Sequence, residues 1–519
     1  MSATAERSPT KLPPSQLPPL TGWQLWAAAF FLSMANLIAI LDMTIANVSV
    51  LTIAGGLAVT PTQGTWVITS YAVAEAITVP LTGWFTQRYG SVKVFVVAMA
   101  AFGLFSALAG MSTSLGVLVF ARVLQGMAGG PLMPLSQTLL LRIFPKEKAG
   151  AATGIWAMTT LVGPVLGPIL GGWICDNYTW PWIFLINLPI AAACAWICWK
   201  VLRRYETTIV RNPIDVVGFV LLIVWVGALQ IMLDEGKNLD WFSSPIIVAL
   251  AVVAVIGFVA FLIWEFTEAH PIVDLRVFRH RGFTAAVITI SLTFAGFFAA
   301  NVLTPLWLQS FMAYTATDAG MTTAWIGITA FFVAPAVAAM SMKMDPRKLV
   351  FYGIIWLGAM TFYRTIATTE MTYWDVALPL MLLGLGMPFF FIPSTAAALS
   401  SVDEEETNSA AGLMNFMRTL SGAIATSVVT TYWEDEITRN RAELVGVIDP
   451  GQVVYNQLTS QGMTDDQAML VLERMVTEQS VMLATNELML VVSVILIVSA
   501  FFIWLVPKPT REIDTSSVH

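Results

Sequence analysis

Charge is scarce along this chain. Of 519 residues, 11% are Asp, Glu, Lys or Arg, less than half of the roughly 25% typical of a soluble globular protein. The shortfall runs through nearly the whole length and leaves no room for a large soluble domain. Histidine is scarcer still. His270, His280 and His519 stand in expected loops or at the end, which gives no support for a metal centre or a His-based catalytic site. Cysteine is limited to Cys175, Cys194 and Cys198, all at or within apolar stretches. Cys194 and Cys198 share a helix face, and with no His nearby their expected use is packing. No Lys/Arg cluster stands on a soluble segment, so the net charge of −7 carries no nucleic-acid signal. A cleavable signal peptide is not evident. Residues 1–22, Pro- and Ser-rich with Arg7 and Lys11, are expected to form a disordered cytoplasmic tail.

Apolar residues are abundant, at 57%. A membrane helix needs about 20 mostly apolar residues. Fourteen such stretches can be placed: 24–48, 64–86, 92–111, 115–139, 149–172, 181–201, 214–233, 245–266, 284–308, 319–340, 348–368, 374–398, 408–432 and 483–506. With the N-terminus inside, nineteen Lys and Arg fall in inside segments; four (Lys237, Arg439, Arg441 and Arg474) fall outside. The positive-inside rule therefore puts both termini in the cytoplasm. Basic polar segments at 202–213 and 267–283 divide the spans into six, two and six. The expected architecture is an all-α membrane protein: a tail 1–22, a six-helix bundle 23–202, a linker 203–283 with two inserted helices, a second bundle 284–506 and a tail 507–519.

One connection is long. Residues 433–482 lie outside and are mostly polar, and Thr464 with Gln467 forms an expected capping box for a helix over 465–479. Ala468, Leu472, Met475 and Val476 would be its apolar stripe. A surface cap over an exit and a docking site for a periplasmic partner both remain open for this loop.

A charge near the bilayer centre costs about 2.5–3.5 kcal/mol on insertion scales, so each one needs a reason. Asp42 lies in span 1, Glu75 in span 2, Arg122 in span 4 and Arg418 in span 13. Asp42 and Arg122 can neutralise one another across two packed helices, as a structural pair or as a proton-coupling pair in which the Arg tunes the carboxylate. Glu75 is a second candidate proton carrier, or a counter-charge for cationic compounds. Arg364 and Glu265, near span ends, are expected to snorkel to the interface. Span 5 carries Gly163, Pro164, Gly167, Pro168, Gly171 and Gly172 within ten residues. Pro kinks a helix and Gly lets another backbone come close, so this is a bent helix with a smooth face, serving tight packing or gating. Asn47, Gln137, Asn301, Asn415 and Arg418 are candidate polar groups of a mainly apolar central cavity, each equally able to serve as an interhelical hydrogen bond.

Several runs carry a family resemblance. Leu41-Asp42-Met43-Thr44-Ile45-Ala46-Asn47-Val48 resembles the span 1 signature of the fourteen-span drug:proton antiporters of the major facilitator superfamily. Gly83-Trp84-Phe85-Thr86-Gln87-Arg88-Tyr89-Gly90 with Lys93 resembles the superfamily loop after span 2, and Arg122-Val123-Leu124-Gln125-Gly126 its span 4 motif. The Gly-Pro run is similar to the antiporter motif of span 5. Residues 229–237, 240–244, 271–275 and 415–420 extend the likeness to the EmrB-type multidrug efflux subunits, over about residues 20–507.

That resemblance implies a proton-driven exporter of hydrophobic compounds, without a cofactor, working by alternating access in a bacterial inner membrane. It further implies a periplasmic adaptor of EmrA type and an outer-membrane channel of TolC type as partners. Asp42 and Arg122 would take the coupling role, and Gly83, Arg88, Gly90 and Lys93 would join the span 5 residues in gating. Two departures stand out. Gln87 occupies the place of the superfamily's Asp, and Glu75 is unexpected at its position. A nutrient or siderophore symporter is the alternative, disfavoured by the span 5 run. A membrane enzyme or receptor would need a catalytic polar cluster or a sensory domain, and neither is visible.

Overall fold

The computed structural model describes residues 20–145, 148–209, 213–312, 314–341, 343–447 and 451–507. The expected tails therefore lie almost wholly outside the described residues. Within them the chain is helical, with no strand. The first six expected spans become α1 (Gly22–Gly56), the short α2 (Pro61–Gly64), α3 (Trp66–Thr78), α4 (Thr82–Tyr89), α5 (Ser91–Gly110), α6 (Leu115–Gly129), α7 (Leu132–Ile143), α8 (Ala149–Asn177), α9 (Trp182–Leu185) and α10 (Asn187–Leu202). The inserted pair is α11 (Val216–Glu235) and α12 (Pro245–Thr267). The rest are α13 (Arg281–Phe311), α14 (Ala316–Ser341), α15 (Pro346–Tyr363), α16 (Tyr373–Ser400), α17 (Thr407–Val447), α18 (Gly451–Ser460) and α19 (Asp465–Phe502).

Two expected spans are interrupted for a local reason. Pro80 separates α3 from α4, and Gly130-Pro131 separates α6 from α7, because proline has no N–H to continue the helical ladder. Span 5 stays helical through its Gly-Pro run and bends by 43° there. Eleven helical stretches are long and apolar enough to cross a membrane, and bent α8 makes a twelfth. The other two expected spans fall on the broken α3–α4 pair and on the first part of α17. Helix starts carry their own caps: Asp215 accepts from Gly218 N at 2.8 Å to begin α11, and Thr372 and Asp375 form a capping box for α16.

The long outer connection departs from expectation. Residues 433–482 are mainly helix, because α17 runs on to Val447 and α19 starts at Asp465 and continues through the last span. The reason is compositional: neither Gly nor Pro occurs at 423–445 or 463–506, so nothing stops propagation once a span has nucleated the helix. The Thr464–Gln467 capping box is present. Arg439–Glu443 and Arg474–Glu478 pair along the helix faces, and Arg441 reaches Glu473 at 2.9 Å to tie the two extensions together. Of the expected stripe, Ala468 and Val476 are buried, Leu472 is half-buried, and Met475 faces outward.

The inserted helices pack on each other through Gly257 and Trp225, whose ring also meets Phe258, Phe261 and, from α17, Phe416. α11 lies against α3. α12 turns Val252, Val255, Ile256, Val259, Ile263 and Phe266 outward, a surface that only a lipid environment tolerates at this extent. Helices from the first six spans meet those of the last six along α8–α14, α8–α16, α7–α17 and α4–α17. Trp156 stacks on Phe391 with centroids 5.8 Å apart. Gly154 lies so close to Ala338 that a Cβ there would stand 2.9 Å away. Asn408 donates to Ser91 Oγ at 3.2 Å. These contacts lie toward the end that carries the basic loops, so the two sets of helices are sealed together at that face.

The continuity of α19 can be tested at Gln479. In a loop next to a separate surface helix, Gln479→Pro would be nearly neutral. In a continuous helix it costs about 3 kcal/mol or more, and we expect a thermal midpoint several degrees lower for the purified full chain, followed by tryptophan fluorescence.

Candidate functional site

Two clusters of polar groups lie inside the apolar bundle. The first joins α1, α3, α6 and α10. Arg122, fully buried, donates through Nη1 to Asp42 Oδ2 at 2.5 Å and to Gln125 Oε1 at 3.0 Å, and through Nε to Val67 O at 3.0 Å. Asp42, 2% exposed, also accepts from Gln125 Nε2 at 3.0 Å and from Asn187 Nδ2 at 2.6 Å. The guanidinium lies over the Tyr71 ring at 4.2 Å and the Phe184 ring at 5.4 Å. The expected pairing of Asp42 with Arg122 is made, and Asp42 is saturated with three donors. Removing one member of a buried pair of this kind costs about 3–5 kcal/mol, since the other charge is left unanswered.

The small residues around this cluster explain how four helices reach one point. Gly163, Gly167 and Gly171 lay α8 directly on Ile40, Thr44 and Ile45 of α1, too close for any side chain at the first two. Gly126 brings α6 against the backbone of Tyr71 and Glu75 on α3. Thr44 Oγ1 donates to Gly163 O at 3.4 Å, and Asn36 donates to Thr159 and Thr160 of α8. Gly172 meets no neighbour and Pro164 is exposed. The Pro168 side chain lies outside what is described.

The second cluster sits between α3, α7 and α17. Glu75 is 8% exposed and has no hydrogen bond or ion pair among the described residues. It lies within electrostatic range of Arg122, Asp42 and Arg418. Arg418, 3% exposed, is enclosed by Trp156, Phe294 and Phe391 at 5.2–5.7 Å and by Met133. Among the described residues no carboxylate lies within ion-pair distance of it, and its Nε has no acceptor. One turn away, Asn415 Nδ2 donates to Gln137 Oε1 at 3.3 Å, while Asn415 Oδ1 and Gln137 Nε2 have no partner among the described residues. Unanswered donors and acceptors thus converge where the two sets of helices meet. Asn301 stays apart, donating to Phe297 O of its own helix. The side chain of Asn47 lies outside what is described.

The start of α5 takes its capping acid from far along the chain. Glu206 accepts from Val92 N at 2.9 Å and Lys93 N at 3.0 Å, capping the start of α5. Thr207 Oγ1 accepts from Ser91 N at 2.9 Å. Gly90, at φ +94°, is overlain by the Glu206 carboxyl and admits no side chain. Arg88 lies over the Trp84 and Tyr89 rings at 5.6 and 5.9 Å. Gly83 touches Ser409 at the start of α17. Sequence reasoning missed Glu206, because no local signal marks a residue more than 110 positions away. It also missed Asn187, whose only sign was a lone amide in an apolar span. His280, Asp403 and Glu406 come within ligand reach of one another, but Arg279 and His280 already pair with those carboxylates at an exposed site.

Residues 32–426 match the sequence profile of the Major Facilitator Superfamily. The chain is 43% identical over 500 residues to the multidrug export protein EmrB of Escherichia coli K12, covering 95% of this chain and 98% of that one. It is 43% identical to EmrB of Haemophilus influenzae, with 91% and 94% covered, and 41% identical to the fatty acid resistance protein FarB of Neisseria gonorrhoeae, with 95% and 98% covered. In fold it is similar to the human organic anion transporter MFSD10 (TETRAN), with a TM-score of 0.56 at 13% identity over 92% of this chain and 100% of that one.

The Glu206 cap can be measured. Glu206→Ala frees two backbone donors at the start of α5 and is expected to lower stability by about 1–2 kcal/mol, read as a lower midpoint in chemical unfolding, while Glu206→Asp retains part of the loss.

Proposed function

The chain belongs to the major facilitator superfamily, and from that premise we propose that it exports hydrophobic drugs and toxic compounds in exchange for protons. One observation carries the coupling assignment: the buried Glu75 lies within electrostatic range of Arg418 and Arg122 and makes no hydrogen bond among the described residues. A proton arriving on Asp42 must displace one of three donors. A proton arriving on Glu75 displaces none. Glu75 is therefore the group that loads and releases the proton, and the Asp42–Arg122 network is the fixed frame that sets its field. The two arginines around Glu75 argue against a counter-charge role toward cations. The aromatic enclosure of Arg418, with Gln137 and Asn415, is the substrate end of the site. No cofactor enters this scheme; the proton gradient drives it.

The contacts that seal the basic face lie at Gly83–Ser409, Gly154–Ala338 and Asn408–Ser91. Alternating access requires them to part while α8 slides on α1 over its glycine face. The excess of Lys and Arg at this face supports a cytoplasmic position for it and for both termini, in a bacterial inner membrane. On the other side, the α17–α19 hairpin turns Val445, Met469, Leu470 and Met475 outward. That apolar surface is the docking site for a periplasmic adaptor of EmrA type, which connects the transporter to an outer-membrane channel of TolC type.

Proton flux in proteoliposomes tests the assignment. Glu75→Gln is expected to reduce drug-induced proton movement to background while the purified protein still binds drug. Normal flux in that variant removes Glu75 from the coupling path. Asp42→Asn is expected to abolish drug resistance in cells with the protein still present in the membrane. A Met469→Glu, Leu470→Glu double variant should lose co-purification with the adaptor by tenfold or so and keep flux in liposomes; undiminished co-purification would make the hairpin a simple cap.

A further inference from the structure

A cavity of about 290 Å³ lies far from Glu75 and Arg418, at the opposite end of the bundle from the basic loops. Its walls come from α13, α15, α16, α19 and the turn that joins α15 to α16. No residue of the first six spans lines it. A ligand held there leaves the junction between the two sets of helices untouched, so the cavity is off the transport path.

Three observations describe what it accepts. First, Arg364 does not snorkel outward. It is half-buried at the cavity wall, Nη2 donates to Thr304 Oγ1 at 2.6 Å, and no carboxylate pairs with the guanidinium among the described residues. A guanidinium at a cavity wall with no carboxylate of its own calls for an anion with several oxygens. Second, two carboxylates line the same cavity, and they are not equivalent. Asp375 Oδ2 is taken by Thr372 N and Oγ1 in the α16 cap, whereas Glu370 is exposed and has no partner among the described residues. Third, Tyr363, Ile366 and Trp374 stand exposed around the opening. Tyr and Trp on a lipid-facing surface mark the headgroup depth of a bilayer.

We propose that this cavity binds a phospholipid headgroup carrying both a phosphate and a primary ammonium. The phosphate meets the guanidinium of Arg364 where it lines the cavity, and the ammonium meets Glu370. The first carbons of the lipid lie against Trp307 and Met489. The volume stands at the lower limit for a drug-sized pocket and suits a headgroup with its glycerol. A purely anionic lipid would set its second charge against Glu370, and a trimethylammonium head could not donate a hydrogen bond to it. Asn486, which donates to Ala367 O at 2.9 Å, would then hold the same turn from the protein side while the lipid holds it from the membrane side.

Native mass spectrometry of the delipidated full-length protein tests this, with phosphatidylethanolamine, phosphatidylglycerol, phosphatidylcholine and oleate added separately. Phosphatidylethanolamine is expected to remain bound about tenfold more than the others, the size of one charge-assisted hydrogen bond. Arg364→Gln should remove that retention, Arg364→Lys should keep part of it, and Glu370→Gln should bring phosphatidylethanolamine and phosphatidylglycerol level. Equal binding of the three lipids by the unaltered protein, stronger binding of oleate, or unchanged retention in Glu370→Gln each overturns the proposal. Should Arg364→Gln fail to fold, the selectivity of the unaltered protein and the Glu370→Gln result decide alone.

Discussion

A charge inside a bilayer must be answered by the protein, because lipid offers it nothing. The pair Asp42–Arg122 is where this chain meets that requirement, and the first six spans are arranged around it. The carboxylate comes from α1, the guanidinium and Gln125 from α6, a carbonyl and a ring from α3, and an amide from α10. Five polar groups from four helices fix the relative depth and rotation of those helices more tightly than apolar packing could, since hydrogen bonds have narrow geometry and Leu-on-lipid contact has none. The glycine faces of α6 and α8 follow from the same demand: helices whose buried groups must touch need backbones that approach closely.

The second polar cluster is bonded less fully, although the first also leaves Arg122 Nη2 and Asn187 Oδ1 without a partner among the described residues. Glu75, Arg418, Asn415 and Gln137 are buried to a similar degree, yet a guanidinium Nε, an amide oxygen and an amide nitrogen lack partners among the described residues, and Glu75 makes no ion pair there. A more fully bonded network is rigid and resists exchange of its protons. An unsaturated one is held in place by its surroundings while its donors and acceptors stay available. The location matters as much as the chemistry, because α7 and α17 belong to different sets of helices and meet just above the sealed basic face. A group placed there feels any motion of one set against the other.

Physical distance in the sequence separates what could be read from what could not. The helices, the Asp42–Arg122 pairing and the bent, glycine-faced span 5 follow from composition and spacing, because apolar length, buried charge and proline are local properties. The cap of α5 is not local. Glu206 supplies its carboxylate from the segment after α10. Arg364 looked like a snorkelling residue by its place near a span end, and the presence of Thr304 on a neighbouring helix turns it inward. The outer segment 433–482 was polar enough to read as a loop, and the absence of Gly and Pro made it an extension of two membrane helices.

By itself, the sequence determined that this chain lives in a membrane, which face carries the basic loops, and which four charges must be buried, since burial in lipid is decided by composition over about 20 residues at a time. Only the tertiary structure decided which of those charges are satisfied. Asp42 and Arg122 pair with each other, while Glu75 and Arg418 have no ion-pair partner among the described residues. Satisfaction depends on donors and acceptors brought from distant spans by packing, and no window along the chain contains them together.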